Sequence, residues 1–238
     1  MDTEKYRALK TKTIAHRGLS AIECENTNAA FIAAGNRSYF GIETDVHVTA
    51  DKRFVIIHDD TMKRVSGEAL AVEKSTLGEL RAQKLRTADG YSRADYIVPT
   101  LEEYIGICKR YEKCAVLELK NRFSEENIRR ITDIISKNNY LEHTIFISFD
   151  LDNLKILRRL LPKQELQYLV KRFSENILYL LNKYKLDIDI HYKALDKKLV
   201  KLLKSNGIKI NCWTCDNKAE AEKLAKLGVD FITSNILE

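Results

Sequence analysis

The sequence predicts an α/β chain folded as a (β/α)8 TIM barrel. Three observations lead there. Short runs rich in β-branched residues alternate with amphipathic segments along most of the chain, the pattern of parallel βα units. The 238 residues match the about 200 to 250 that such a barrel occupies as one domain. Acidic, basic and imidazole side chains also recur at the carboxyl ends of the predicted strands, where barrel enzymes carry their chemistry.

Taken in order, the expected barrel strands are residues 13–16, 41–46, 115–120, 144–148, 166–170, 187–191, 209–213 and 230–233. Amphipathic segments at 124–137, 151–161, 174–183, 196–205 and 217–227 fill the intervals, several opened by Ser or Asp in the capping position. One stretch breaks the alternation. Residues 53–58 are β-rich and follow the second strand too closely for a parallel crossover, so they should pair back on it as a hairpin. A turn centred near Ala50 and Asp51 would set Val48 opposite Arg53 and Glu43 opposite His58. Residues from about 59 to 96 then form an insertion, with 75–80 helical, before a helix that starts near Pro99. The expectation is a single domain over residues 1–238.

Forty basic and thirty-four acidic residues leave a net charge of +6, with 45% hydrophobic content and two prolines. That describes an ordered protein whose mild basicity serves solubility rather than nucleic-acid binding. The first residues lack the apolar core of a secretory signal, and no window approaches a membrane-spanning run, so no stable membrane anchor and a cytoplasmic location are expected. The five cysteines, at 24, 108, 114, 212 and 215, should be mostly reduced, and the Cys212-Trp213-Thr214-Cys215 run has no second pair to make a zinc site. The leucines 195, 199, 202 and 203 amid lysines form the apolar stripe of an outer barrel helix, a stripe that a membrane-surface helix also shows.

The chemistry is concentrated in a few residues. In a strand, i and i+2 share a face, so Glu43 with Asp45, and Glu118 with Lys120, each send two polar groups to one side. Three carboxylates converging in a barrel interior repel unless a cation compensates them, and an oxygen-only set favours magnesium, calcium or manganese over zinc. Arg17 and Lys120 would bind phosphate oxygens. His16 and His58 titrate near neutrality and would divide the proton work of a phosphodiester hydrolysis. Trp213, ending the seventh strand, offers an aromatic wall to a substrate. His47 and His143 are expected to be structural, while His191 could line the pocket.

Several of these residues also match a family. Ile14-Ala15-His16-Arg17-Gly18, Glu25-Asn26-Thr27, Glu43-Thr44-Asp45-Val46, Thr49-Ala50-Asp51, Val55-Ile56-Ile57-His58-Asp59, Glu118-Leu119-Lys120 and Trp213-Thr214 occur in the order seen in glycerophosphodiester phosphodiesterases. The chain resembles that family from about residue 12 to 235, and seven ordered matches are far more specific than any one. The resemblance implies metal-dependent hydrolysis of glycerophosphodiesters to glycerol 3-phosphate and an alcohol, with a divalent cation, Mg2+ or Ca2+. It further implies His58 as acid to the leaving group, His16 as base, a cyclic phosphate if the glycerol's own hydroxyl attacks first, and an insertion that caps the mouth.

Three departures from the family pattern stand out. Cys24 replaces a proline, Lys52 replaces the hairpin glycine, and Thr233-Ser234-Asn235-Ile236 replaces a Thr-Asp-x-Pro ending, so that Asn235 cannot supply a carboxylate. Two other functions compete with the leading one. A phospholipase-like enzyme acting on lysophospholipids or membrane lipids would need an apolar, flexible cap, and a binding protein with a degenerate site would need the loss of a core residue.

Overall fold

The computed structural model describes residues 2–238. Nine strands form one sheet: β1 (Lys12–Ala15), β2 (Gly41–Val48), β3 (Phe54–Ile56), β4 (Cys114–Leu119), β5 (Thr144–Ser148), β6 (Leu166–Val170), β7 (Asp187–His191), β8 (Ile210–Trp213) and β9 (Phe231–Ser234). Eight are parallel neighbours in the order β1-β9-β8-β7-β6-β5-β4-β2, and the pairing of β1 with β2 closes the ring. The eight barrel strands fall where the sequence places them, to within a residue or two at their ends. Closure leaves no exposed sheet edge in the ring.

Side chains alternate across this ring, and the alternation sorts them into two cores. Ile14, Val116, Ile145, Ile147, Leu169 and Phe231 fill the interior. Ala15, Ile42, Leu117, Phe146, Ile188, Ile190, Ile210 and Ile232 face outward, where they pack under the helices. Those helices are α1 (Asn28–Gly35), α4 (Leu101–Arg110), α5 (Glu125–Lys137), α6 (Leu151–Leu160), α7 (Glu175–Tyr184), α8 (Lys197–Ser205) and α9 (Lys218–Leu227), with the short α2 (Lys63–Ser66) and α3 (Leu77–Arg81) in the insertion. Their starts are set by side-chain oxygens: Ser124, Ser174 and Asp196 accept from the amides of Asn127, Ile177 and Leu199. Thr76 and Thr100 each form reciprocal capping boxes. In α8, Leu203 is buried and Leu199 packs against the core, as does Leu195 just before the helix, whereas Leu202 is 38% exposed. Leu202 lies about 100° round the helix from Leu203, so the buried stripe is narrower than the sequence suggests.

The insertion carries its own small core. Cys24, Val55, Ile57, Met62, Leu80 and Tyr96 belong to one cluster, roofed by α2 and α3. Helix α3 confirms the helical expectation there, beginning after Thr76 rather than at Ser75.

The hairpin between β2 and β3 is antiparallel, as expected, but its register differs by one residue. Val48 pairs with Phe54, His47 with Val55 and Val46 with Ile56, so Arg53 is opposite Thr49 and Glu43 does not face His58. The loop has three residues rather than two. The Thr49 amide donates to the Arg53 carbonyl at 2.9 Å, Thr49 Oγ1 accepts from the Arg53 amide at 2.9 Å, and Lys52 takes a left-handed φ of 62°. A left-handed third residue is what a three-residue hairpin loop requires. It shifts the pairing by one position and so moves every side chain of the return strand to the other face.

Because Lys52 holds a conformation that an L-residue adopts at a cost, Lys52→Gly is expected to stabilise the fold by about 1 kcal/mol. That corresponds to a rise of about 2 to 4 °C in melting temperature. A melting curve that stayed put or moved down would show that the turn carries no strain.

Candidate active site

Strand β1 ends in a turn that aims two residues inward. Arg17 and Gly18 are both left-handed, at φ 56° and 77°, and a Cβ on Gly18 would lie 2.6 Å from the Ala30 carbonyl carbon. Only glycine fits against α1 there. The turn directs the Arg17 amide to Glu43 Oε2 at 3.0 Å and its guanidinium between Glu25 (2.9 Å) and Asp45 (3.5 Å).

Glu43 and Asp45 on β2 and Glu118 on β4 are buried, and each offers an oxygen within 4.8 Å of the other two. Asp45 and Glu118 are paired in register across the two strands, which is why residues so distant in sequence meet. The Lys120 ammonium stands 3.0 Å from Glu118 and 3.4 Å from Asp45. Asp45 Oδ1 and Glu118 Oε1 nevertheless accept no well-directed hydrogen bond from any described residue. Two aimed and unsatisfied carboxylate oxygens in an all-oxygen set fit a hard divalent cation.

The protonation states follow from position. Burial, then the charges of Asp45 and Glu118, lift the Glu43 carboxyl well above the ordinary range. Glu118 is raised to about 7 by burial and by Asp45, against the pull of Lys120. Burial also acts to raise Asp45, but Arg17, Lys120 and His58 outweigh it and hold that carboxyl well below its usual value. The Asn26 amide adds a 2.8 Å hydrogen bond to Asp45 Oδ2, and its own oxygen accepts from Thr44 at 2.6 Å.

The two histidines are held differently. His16 Nδ1 lies 2.7 Å from Asn235 Oδ1. The Asn235 amide nitrogen donates to Asp216 Oδ2 at 2.6 Å, which fixes the amide so that oxygen faces the imidazole. An amide oxygen only accepts, so Nδ1 carries the proton and Nε2 presents a lone pair toward Glu43, 3.9 Å away. The carboxylate missing at position 235 is thus supplied by Asp216, one hydrogen bond further out. His58 is backed directly by the Asp59 carboxylate, which Arg64 bridges to Glu25. Buried His47 helps to hold this segment, through Glu73 at 3.2 Å and the His58 carbonyl at 3.4 Å. Burial lowers both catalytic candidates, and for His16 the Arg17 charge adds to it.

These groups line a cavity of about 100 Å³ at the carboxyl end of the barrel, walled opposite by Trp213 and Phe149, whose rings meet edge to face at 5.6 Å. All eight residues named from sequence are brought together here: His16, Arg17, Glu43, His58, Glu118, Lys120 and Trp213 line it, and Asp45 completes the acidic cluster. His191 does not line it; its ring packs against Trp213 at 5.4 Å. A larger cavity, about 750 Å³ beside Phe40, Cys114 and Leu161, lies at the amino end of the strands and holds none of these groups. Sequence reading missed Asp189, Asp216 and Arg64. Glu25 and Asn26 stood in a quoted motif, yet their contacts to Arg17 and Asp45 needed the fold. Cys24, in place of a proline, is buried in the cap core and its thiol donates to the Arg86 carbonyl at 3.3 Å, so the turn keeps an anchor. All five cysteines are free thiols.

A model of the glycerophosphoryl diester phosphodiesterase family matches residues 16–237. The chain is similar to a glycerophosphodiester phosphodiesterase of Caldanaerobacter subterraneus subsp. tengcongensis, 30% identical over 233 residues and 95% of each chain. Among solved structures it is similar to an Oleispira antarctica phosphodiesterase in complex with the product sn-glycerol-3-phosphate, with a TM-score of 0.84 and 26% identity over 98% of this chain and 96% of that one. A glycerophosphodiester phosphodiesterase from Parabacteroides distasonis gives a TM-score of 0.79 and 30% identity over 98% and 94%.

His16 should titrate near about 4 in the metal-free protein rather than at the ordinary 6.5. The unfolded chain then takes up this proton first, so the group costs nothing above pH 6.5 and lowers stability as pH falls from 6.5 toward 4. Imidazole proton resonances followed through that range give the midpoint, and His16→Asn should lose less stability over the same interval. A midpoint at 6 or above would contradict the buried, neutral imidazole described here.

Proposed function

This chain belongs to the glycerophosphoryl diester phosphodiesterase family, and we propose that it hydrolyses glycerophosphodiesters to glycerol 3-phosphate and an alcohol with a divalent cation and the two histidines His16 and His58. The observation that carries this reading is the meeting, in one small cavity, of a three-carboxylate cluster, two cationic side chains and two imidazoles with different partners. Glu43, Asp45 and Glu118 would hold Mg2+ or Ca2+, which when bound would polarise the phosphoryl group and orient the nucleophile.

The remaining work falls to the chain's own residues. Arg17, whose guanidinium lies between Glu25 and Asp45, would bind a phosphate oxygen, with Lys120 as a second positive charge beside it. His16, with Nε2 unprotonated, takes the proton of the attacking hydroxyl. His58 protonates the alkoxide as the phosphorus–oxygen bond to the alcohol breaks. What supports this division is the Asp59 carboxylate behind His58, which would stabilise an imidazolium there better than the amide behind His16 would. The nucleophile is water, or the glycerol's own hydroxyl with a cyclic phosphate as first product.

The phospholipase-like reading finds less support. It calls for outward apolar surface on the cap, but Val55, Ile57, Met62, Leu80 and Tyr96 turn into the cap's own core. No helix among the described residues is long and apolar enough to cross a membrane.

The direct test is release of glycerol 3-phosphate from glycerophosphocholine without vesicles. His16→Ala and His58→Ala should each reduce turnover at least about 100-fold with the fold intact; near-normal turnover in either would remove that histidine from the mechanism, and activity confined to bilayers would favour the lipid reading. The cation has a separate readout. The three carboxylates converge only in the folded barrel, so a shared ion binds the native state. At about 100 times its dissociation constant it adds roughly 2.7 kcal/mol, a rise of about 5 to 11 °C in melting temperature between EDTA and excess metal. Glu43→Gln, Asp45→Asn and Glu118→Gln should shrink that rise; a parent protein with no metal-dependent shift would exclude the shared site.

A further inference from the structure

The positive charge of the chain is not spread evenly along it. Residues 171–209 hold ten of the forty basic residues and four of the thirty-four acidic ones, so this stretch carries the whole excess of +6 and the thirty of each sign elsewhere cancel. All ten basic side chains are exposed. Three of the four acidic ones are engaged elsewhere: Asp189 is buried inside the barrel, Asp187 accepts from the Lys209 amide at 2.7 Å, and Asp196 caps α8. Lys204 and Lys209 pair with Asp230 and Glu165. The other eight cations have no carboxylate partner among the described residues.

Apolar side chains lie among these charges. Helix α7 carries five consecutive apolar residues, Ile177-Leu178-Tyr179-Leu180-Leu181. At about 100° per residue they run fully round the helix, so they cannot all face the barrel. Only Leu181 is fully buried, and Tyr179 is 58% exposed. On α8 the exposed Leu202 shares the outer face with Lys198 and Lys201, and the three line a groove of about 640 Å³ that reaches Phe173 and Glu175 at the start of α7. The charged face begins at the mouth of the barrel, since Lys171 and Arg172 follow β6 and Lys193 follows β7 at the carboxyl ends of those strands.

We infer that the α7–α8 flank docks reversibly on a bilayer that contains anionic lipid, with the barrel mouth at the edge of the contact. Unpaired lysines around scattered apolar side chains suit such a surface: the diffuse negative potential of the leaflet attracts the ammonium groups while Tyr179 and Leu202 enter the interface. Nucleic acid fits the face less well. Nine of the ten cations are lysine, a point charge without the guanidinium fork that reads phosphates and base edges by paired contacts. The attachment needs neither a spanning helix nor a lipid substrate, so it is independent of the reaction assigned to the cavity.

The test is co-sedimentation of the full chain with vesicles of phosphatidylcholine alone, or mixed with phosphatidylglycerol at about 3:1. The chain should bind only the mixed vesicles at about 0.1 M salt and leave them at about 1 M, where the screening length falls from about 10 Å to about 3 Å. Lys197→Gln, Lys198→Gln and Lys201→Gln combined should weaken that binding at least about tenfold with the melting temperature unchanged. Removing as many exposed charges elsewhere, by Lys10→Gln, Lys137→Gln and Lys226→Gln, should weaken it by no more than about threefold, because charges beyond the screening length of the bilayer contribute little. Equal binding to pure phosphatidylcholine, binding to neither vesicle, or an equal loss in the two triple variants would overturn the inference. So would tighter binding of a duplex oligonucleotide than of the mixed vesicles, which would make the flank a nucleic-acid surface.

Discussion

The interior of the barrel holds more buried negative charge than buried positive charge at one end, and the arrangement around it answers that imbalance. Glu43, Asp45, Glu118 and Asp189 face Arg17 and Lys120 across a space from which water is largely excluded. Like charges so placed cannot all ionise. The protein responds unevenly: the two cations and the Asn26 amide are concentrated on Asp45, which stays ionised, while Glu43, Glu118 and Asp189 are left to bind protons when no other cation is present. A metal binding there displaces protons, so affinity for it should rise with pH across the range in which Glu118 titrates.

The same constraint explains the rigidity of the surrounding network. A carboxylate cluster is useful only if its members cannot turn away from one another, and here each is fixed from behind. Closure of β1 on β2 sets the Arg17 amide on Glu43, register across β2 and β4 aligns Asp45 with Glu118, and the Glu25–Arg64–Asp59 chain couples the cap to His58. These contacts span the barrel, the β1 turn and the insertion, so the site is a product of the closed ring rather than of any one loop. Small errors of closure would be felt as lost chemistry before they were felt as lost stability.

How much of this the sequence discloses depends on the range of the interaction. Period-two alternation and capping residues are local, and the eight barrel strands and most of their helices were readable from them, although α1 (Asn28–Gly35) was not. The acidic pairs were readable because strand geometry places i and i+2 together. The hairpin register was not, since it turned on Lys52 adopting a left-handed conformation, and a lysine gives no signal for that. Asp189 sits in an unremarkable Asp-Ile-Asp-Ile run, and only closure of the ring brings it opposite β2. Asp216, nineteen residues before Asn235, carries no mark in sequence of its role behind His16.

That last contact bears on how the two histidines came to differ. A carboxylate placed directly against an imidazole stabilises its protonated form and raises its affinity for a proton. At His58 the carboxylate is in contact. At His16 it has been set one hydrogen bond back, behind an amide that transmits orientation but little charge, because Asp216 is exposed and screened by water. The tautomer is thereby kept and the attraction for a second proton is reduced. The amide at position 235 therefore separates the ordering of the His16 ring from electrostatic stabilisation of its protonated form, and leaves that ring neutral above its lowered pKa.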